Sequence, residues 1–325
     1  TIVHYILERF FGEYTKEEYL SLEEDKFQKI VCAYLTEYAV KYFGEEQLES
    51  NSFTYRLKTI LDNVMYLMKH IMEELSQSEF FVADCELKIG EDIPSYTIVL
   101  PDGHKIAVCG SVDRVDIMQR ADITYLRIID YKTGTKQFKL SDILYGINLQ
   151  MLLYLHSIEV SGGDKYGEIV PAGILYMPAT VPYISSDSLK SIDKLPDELN
   201  KKLKMNGLLL KDTEIIHGMD KTDVATYIPV KIKAGEPVSS TSLATLAEFG
   251  KIFKKVDMLI AEMGKNIYNG NIEAKPLKGG HDSCEYCPYD SVCAYRQSNP
   301  ITCFSVDNKT VIEEITNEIN GKEEE

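Results

Sequence analysis

The sequence predicts an α/β fold in which a mixed central sheet is flanked by helices, and three observations support this prediction. Apolar residues recur at three- and four-residue spacing through residues 1–80, a pattern typical of amphipathic helices. From Phe81 the pattern changes to alternating or β-branched runs separated by turn-type segments, which predicts a meander of about four strands. A helical pattern and then another apolar strand follow, in the order that a crossover connection requires.

We expect the sequence to be one domain of a longer chain, because it starts with Thr1 inside a predicted helix. The elements of this domain fall into four regions. Ser141 or Asp142 is the predicted cap of the crossover helix, whose apolar residues run through Leu155. A long helix is predicted over 241–269, and the tail after 307 is either a short charged helix or disordered. The regions are an N-terminal helical part (1–80), the core sheet with the active site (81–180), an insertion or irregular subdomain (181–240), and a C-terminal part with a helix, a cysteine cluster and the tail (241–325).

Composition excludes several classes of protein. The 325 residues are 44% hydrophobic and 26% charged, which argues against disorder, collagen-like repeats and a disulfide-stapled mini-protein. The sequence has neither an apolar run long enough for a bilayer span nor a signal-peptide pattern, so we expect a soluble protein without membrane contact. The formal net charge of −16 argues against nucleic acid when taken alone. A metal-dependent site for phosphate needs only local positive charge, which Lys132, Lys136 and Lys139 supply.

Three of the seven cysteines have the spacing of metal ligands. Cys284, Cys287 and Cys293 form C-x2-C-x5-C, and Cys303 follows ten residues later. A C-x2-C turn lets two thiolates bind one metal, which makes this segment a candidate metal or iron–sulfur site. The alternative is a loop with three free thiols.

A carboxylate pair with a lysine forms the candidate catalytic group. Asp130 and Lys132 lie two residues apart at the end of a predicted strand and therefore share one face of it. If the preceding strand pairs as a hairpin, it brings Asp113 to the same place. Such a group suits a divalent cation that polarises a phosphodiester, and oxygen ligands favour Mg²⁺ or Mn²⁺. The alternative for Asp-x-Lys alone is a solvated ion pair.

Three further side chains are candidates on helices. Gln150 and Tyr154 lie four residues apart and share a helical face, from which they could hydrogen-bond phosphate or a base. His4 lies on the first predicted helix. For Tyr154 the alternative is a place in the core, and for His4 it is a structural role.

Taken in order, these motifs resemble the RecB-like branch of the PD-(D/E)XK nuclease superfamily. They are V-H-x-x-L-E, G-S-V-D-R-V-D, I-I-D-Y-K-T-G, Q-x-x-x-Y, and I-Y-N-G-N-I-E-A-K-P ahead of C-x2-C-x5-C, and they span His4 to Cys293. The cysteine segment makes the chain most similar to the iron–sulfur members, in particular to the nuclease domains of AddAB-type helicase–nucleases.

The resemblance implies a role for each residue of the candidate catalytic group. His4, Asp113 and Asp130 would bind the catalytic Mg²⁺. The backbone carbonyl of Tyr131 would be a further ligand, and Lys132 would be the catalytic lysine.

Other positions receive supporting roles from the resemblance. Gln150 and Tyr154 would support the site and the DNA strand, and Glu86 would stand behind the metal ligands. The three clustered cysteines would supply three of the four ligands of a [4Fe–4S] cluster. The family's fourth cysteine lies upstream of the histidine motif, and the spacing does not favour Cys32 or Cys303 as its substitute.

The resemblance also implies a function. The implied protein is a Mg²⁺-dependent DNase domain that cuts single-stranded DNA in the bacterial cytoplasm. An AddA-type helicase–nuclease partner would unwind the broken duplex during recombination and repair. The sequence has no G-x-x-x-x-G-K-[ST] phosphate loop, so an ATP motor of that type would lie elsewhere in the complex. The alternatives are a stand-alone nuclease of the CRISPR-adaptation type and a catalytically silent DNA-binding scaffold.

Overall fold

The N-terminal region is helical, as predicted. The computed structural model describes residues 2–132, 134, 137–181, 195–239, 241–293 and 300–323. The elements of this region are α1 (Ile2–Glu13), α2 (Lys16–Leu20), α3 (Glu24–Phe43), a 3₁₀ turn (Glu45–Glu49) and α4 (Asn51–Ser76). A capping box between Thr15 and Glu18 starts α2. The apolar faces of α1, α3 and α4 pack together and cover one part of the core.

Five strands follow the helices, and three of them belong to the central sheet. The strands are β1 (Phe81–Ile89), β2 (Tyr96–Val99), β3 (Lys105–Val108), β4 (Gly110–Arg120) and β5 (Ile123–Lys132). β4 lies antiparallel between β1 and β5, whereas β2 and β3 form a separate two-stranded hairpin. The predicted continuous meander is therefore wrong. A tight turn at Gly103 closes β2 directly on β3, which leaves β1 to pair with β4.

The crossover places a parallel strand beside β5, as predicted. A 3₁₀ turn (Leu140–Tyr145) and the helices α5 (Gln150–Ser161) and α6 (Gly163–Tyr166) lead to β6 (Glu168–Pro178), which pairs in parallel with β5. The predicted helix cap at Ser141 or Asp142 is wrong. Both residues lie in the 3₁₀ turn, which ends at Gly146 in a left-handed conformation, so that α5 starts only at Gln150.

The next region extends the same sheet. Its elements are α7 (Leu195–Leu203), β7 (Asn206–Leu210), α8 (Thr213–Met219), β8 (Lys231–Lys233), β9 (Glu236–Val238) and β10 (Leu243–Ala244). The six-stranded sheet has the order β1-β4-β5-β6-β7-β10, with β7 antiparallel to β6 and β10 parallel to β7. Much of the segment expected to be an insertion thus completes the core sheet, because the apolar side chains of β7 are buried. Residues 182–194 and 240 lie outside the described part of the chain.

The C-terminal region has two long helices, of which the first packs against α5 and β2, and the second packs against the first and against the 3₁₀ turn Leu140–Tyr145. Its elements are α9 (Leu246–Tyr268), β11 (Leu277–Gly279), α10 (Asp290–Cys293), β12 (Ile301–Cys303) and α11 (Asn308–Glu323). Val311 and Ile315 are fully buried, and Lys255 of α9 forms a 2.5 Å ion pair with Glu318 of α11, so the tail is an integral helix. The mixed sheet between helices confirms the predicted fold class. Among the helices of the described residues, none combines the length and apolarity needed to cross a bilayer.

Candidate active site

Three ligand-type side chains converge where α1 meets the edge of the sheet. His4 of α1 lies between Glu86 of β1 and Asp113 of β4. Its Nδ1 is 3.5 Å from Glu86 Oε1, and its Nε2 is 3.5 Å from Asp113 Oδ2. Among the described residues, these three are the group whose possible ligand atoms all lie within 4.8 Å of one another. One imidazole and two carboxylates form a donor set that suits a divalent cation.

Glu86 reaches this group through a distorted strand. Its φ of +52° is unusual for a non-glycine residue, and its neighbours Cys85 and Leu87 still pair with β4. Its carboxylate also accepts a 2.9 Å hydrogen bond from the Ser111 hydroxyl. Such strain persists only where the surroundings impose it, and it gathers at functional sites. Glu86 therefore lies among the candidate ligands rather than behind them. The sequence identifies the glutamate but does not show the backbone conformation that directs its side chain to this group.

The predicted carboxylate pair forms at adjacent strand ends. Arg114 of β4 pairs with Ile129 of β5, and one further step of this register places Asp113 opposite Asp130. The backbone N–H of Tyr131 donates a 2.9 Å hydrogen bond to Asp113 Oδ2. Burial of Asp113, together with the nearby charges of Asp130 and Glu86, raises its pKa above the usual value, although the Tyr131 N–H and His4 oppose that shift. Negative charge is thus concentrated at this edge.

Lys132 contacts Asp130 as the spacing predicted. Its ammonium lies 2.6 Å from Asp130 Oδ2 but without the alignment of a hydrogen bond. That oxygen is buried and accepts no hydrogen bond from the described residues. The ammonium also lies 5.8 Å from the ring centroid of Tyr176, which is directly beside Asp130 on β6. Tyr176 and Asp130 therefore contact the ammonium from two sides; no pattern in the sequence pointed to Tyr176.

Gln150 and Tyr154 lie on the first turns of α5, beside the start of β4. Gln150 Nε2 is 3.5 Å from the Tyr154 hydroxyl, and within the described residues no hydrogen bond joins Gln150 to the acidic group. The Tyr154 ring lies against Gly110, where an added Cβ would be 2.2 Å from the phenolic oxygen. Gly110 thus admits the tyrosine ring to the strand end that leads to Asp113. Tyr131, whose backbone carbonyl stays a predicted ligand, lies between Asp130 and Lys132 on β5.

A buried ion network, which the sequence did not reveal, lies behind the candidate site. Its members, all with no exposed surface, are Glu74, Arg114, Asp116 and Arg127. Arg114 Nε is 2.6 Å from Asp116 Oδ1, and Arg127 bridges Asp116 to Glu74 of α4. Burial alone would raise the pKa of Asp116, but Arg114 and Arg127 outweigh it and hold that pKa below the usual value. Two positive and two negative charges balance here, so the network joins α4 to the strands that carry the acidic pair.

The cysteine segment lies apart from this group. Cys284 and Cys287 are half-buried, Cys293 is exposed, and the N–H of Cys287 donates to the carbonyl of Cys284 over 3.2 Å. Among the described residues, no three of the cysteine sulfurs lie within 4.8 Å of one another. Cys303 is buried on β12 beside β11, whereas Cys32 is exposed on α3. Lys136 and residues 294–299 lie outside the described part of the chain.

Fold and candidate site together define a class of protein. A mixed sheet that carries two carboxylates and a lysine at neighbouring strand ends fits a metal-dependent nuclease. The chain belongs to the PD-(D/E)XK nuclease superfamily, whose family profile matches residues 1–294. The resemblance inferred from the motifs is thereby confirmed.

Similar proteins place the chain more narrowly. It is 38% identical over 246 residues to an ATP-dependent helicase/deoxyribonuclease subunit from a Thermoanaerobacter species, covering 74% of this chain and 21% of that protein. The protein of the same name from Alkaliphilus oremlandii is 32% identical over 334 residues, covering 98% of this chain and 29% of the relative. That from Ruminiclostridium cellulolyticum is 33% identical, with 94% and 27% covered. The chain thus spans less than a third of the length of these relatives.

Proposed function

We propose that this chain is a divalent-cation-dependent deoxyribonuclease domain that cuts single-stranded DNA. The observation that carries the proposal is the convergence of His4, Glu86 and Asp113 beside the acidic pair and Lys132. This group brings together oxygen and imidazole ligands, a buried carboxylate and an ammonium.

The residues present fit a hard divalent cation such as Mg²⁺ or Mn²⁺. Asp130 Oδ2 is buried without a hydrogen bond from the described residues, and the pKa of Asp113 is raised chiefly by burial. The Lys132 ammonium lies 2.6 Å from Asp130 Oδ2, and a divalent cation bound beside Asp113 would lower the pKa of Asp113 again by favouring its charged form. We assign His4, Glu86, Asp113 and Asp130 as the residues that would hold it. Bound there, the ion would polarise a phosphodiester and favour ionisation of water.

The remaining side chains have distinct tasks in phosphodiester hydrolysis. The Lys132 ammonium, held between Asp130 and the Tyr176 ring, orients a water or stabilises negative charge on the phosphate. The Tyr131 N–H fixes the orientation of the Asp113 carboxylate. Gln150 and Tyr154 form the helical side of the approach, where we expect them to contact the DNA strand.

The relatives suggest where this chemistry is used. They are named as subunits of an ATP-dependent helicase/deoxyribonuclease, so we propose that this chain works in an AddAB-type complex in the cytoplasm, with an AddA-type partner that delivers DNA during repair and recombination. The net charge of −16 favours delivery of DNA through the complex over capture from solution. We retain the [4Fe–4S] cluster as a proposal, with Cys284, Cys287 and Cys293 as three of its ligands. We also retain the division of the domain into regions, except that much of the region 181–240 belongs to the core sheet.

The test is cleavage of end-labelled single-stranded DNA by anaerobically purified protein, with Mg²⁺ or with EDTA. Lys132→Ala is compared with Lys233→Ala, which removes an exposed lysine from the separate β8–β9 hairpin. We expect metal-dependent cutting that Lys132→Ala abolishes and Lys233→Ala leaves intact. Full activity in Lys132→Ala would refute the site, and a folded wild-type protein that binds DNA without cutting it would favour the scaffold function.

A further inference from the structure

Ser111 lies at the start of β4, beside one of the candidate metal ligands. Its hydroxyl donates a 2.9 Å hydrogen bond to Oε2 of Glu86 on the neighbouring strand β1. The strand pairs on either side of Glu86 place that residue opposite Asp113 of β4. Ser111 is two positions along β4 from Asp113, so it is the diagonal neighbour of Glu86. The register of two paired strands therefore brings the hydroxyl to the carboxylate.

The two oxygens of the Glu86 carboxylate face different partners. Oε2 accepts the hydrogen bond from Ser111, whereas Oε1 lies 3.5 Å from Nδ1 of His4. Glu86 and His4, together with Asp113, form the group of ligand-type side chains found among the described residues. Ser111 thus holds one oxygen of the carboxylate while the other is turned toward the histidine of that group.

Two features of Glu86 oppose this orientation of its side chain. A glutamate has three side-chain torsions, and their freedom is lost when the carboxylate is held in one place. The negative charges of Glu86 and Asp113 also repel each other, which is one reason why the pKa of Asp113 is raised. A hydrogen bond from a hydroxyl counters both effects. Because the hydroxyl is neutral, it leaves Glu86 with the negative charge that a cation requires.

We infer that Ser111 is a positioning residue of the candidate metal site, which keeps the Glu86 carboxylate turned toward His4 and Asp113 before a cation binds. This inference rests on the proposed function for the presence of the metal. Hydrogen-bond partners that orient metal-ligating side chains typically change metal affinity about 10- to 100-fold when they are removed. Ser111 acts through Glu86, so its effect should disappear when Glu86 is absent.

The experiment measures Mn²⁺ binding to the folded protein by calorimetry, without DNA. Ser111→Ala removes the hydroxyl, and Ser111→Thr keeps it on a side chain that suits a strand. The matched control is Ser95→Ala, which removes a hydroxyl that contacts the sulfur of Cys109 over 3.4 Å instead of a carboxylate. We expect Ser111→Ala to bind Mn²⁺ about tenfold or more weakly, and Ser111→Thr and Ser95→Ala to bind it nearly as tightly as the wild type. Circular dichroism melting verifies that each variant is folded.

A double-mutant cycle with Glu86→Ala tests whether Ser111 acts through the glutamate. We expect Ser111→Ala to have no further effect on Mn²⁺ affinity once Glu86 has been replaced, because the hydroxyl then has no carboxylate to orient. An equal loss in the presence and absence of Glu86 would overturn the positioning role. Equal losses in Ser111→Ala and Ser111→Thr would overturn it as well, since the hydroxyl would then not be the group that matters.

The same measurements separate this inference from the proposed function. If the wild type binds Mn²⁺ and Ser111→Ala binds it as tightly as Ser95→Ala does, the positioning role is refuted while the metal site stands. If the folded wild-type protein does not bind Mn²⁺, the metal site of the proposed function fails, and the role of Ser111 fails with it.

Discussion

Arg127→Met tests the buried ion network behind the site. Arg127 has no exposed surface, and its guanidinium binds Glu74 at 2.5 Å and Asp116 at 2.9 Å. Methionine fills similar space without charge, so the change leaves two buried carboxylates with Arg114 as their remaining partner in the network. Removing one partner of a buried ion pair costs about 3–5 kcal/mol, a large part of the roughly 5–15 kcal/mol that stabilises a domain.

The strand that carries Asp116 offers a matched control for Arg127→Met. Arg120, also on β4, is 52% exposed and is paired with Glu79 on the surface. Arg120→Met should therefore cost less than about 1 kcal/mol. The assay is urea unfolding of the wild type and both variants, analysed for the free energy of unfolding and its dependence on urea. Equal, small losses in the two variants would show that the network does not stabilise the fold.

Two further predictions concern α5. The pKa of His156 is raised to about 9: burial opposes protonation, but its contacts with Asp257 (3.3 Å) and Glu159 (3.1 Å) outweigh it. This pKa lies above the unfolded value of about 6.5, so protonated His156 contributes up to about 3 kcal/mol to the free energy of unfolding below pH 6.5, and that contribution is lost as the pH rises through 9. The variant His156→Gln should flatten this part of the stability–pH curve. An unchanged slope would contradict the assignment. Gly110→Ala should displace the Tyr154 ring and cost about 1–3 kcal/mol. Adding Tyr154→Ala should recover part of that loss, whereas simple additivity in a double-mutant cycle would argue against the contact.

Periodicity predicted most of the fold because burial here follows secondary structure closely. The helical spacing of the first 80 residues and the β-branched runs after Phe81 both reflect faces that pack on one core. What the sequence did not show was strand partnership. The short β2–β3 hairpin and the return of β7 to the main sheet depend on which edges are free once neighbouring strands have paired. The start of α5 was misplaced because Gly146 ends the preceding 3₁₀ turn.

The candidate site shows a similar division. Asp113, Asp130 and Lys132 were predictable because a strand alternates its faces and a hairpin aligns neighbouring residues. The family resemblance placed Glu86 behind the metal ligands, and no pattern in the sequence indicates the φ of +52° found there within an otherwise regular strand. Charged residues are usually exposed, so the sequence alone does not predict that Arg127 is buried. Its burial depends on Glu74 of α4, which the fold brings next to it.

The most direct test of the central claim is Mn²⁺ binding to the folded protein, measured by calorimetry without DNA. The wild type is compared with Asp113→Asn and Glu86→Gln, which keep the size of each side chain and remove its charge. We predict that the wild type binds the ion and that each variant binds it at least about tenfold more weakly, since each loses a carboxylate from the group around His4. Equal affinity in all three proteins would contradict the assignment of these residues as a metal site.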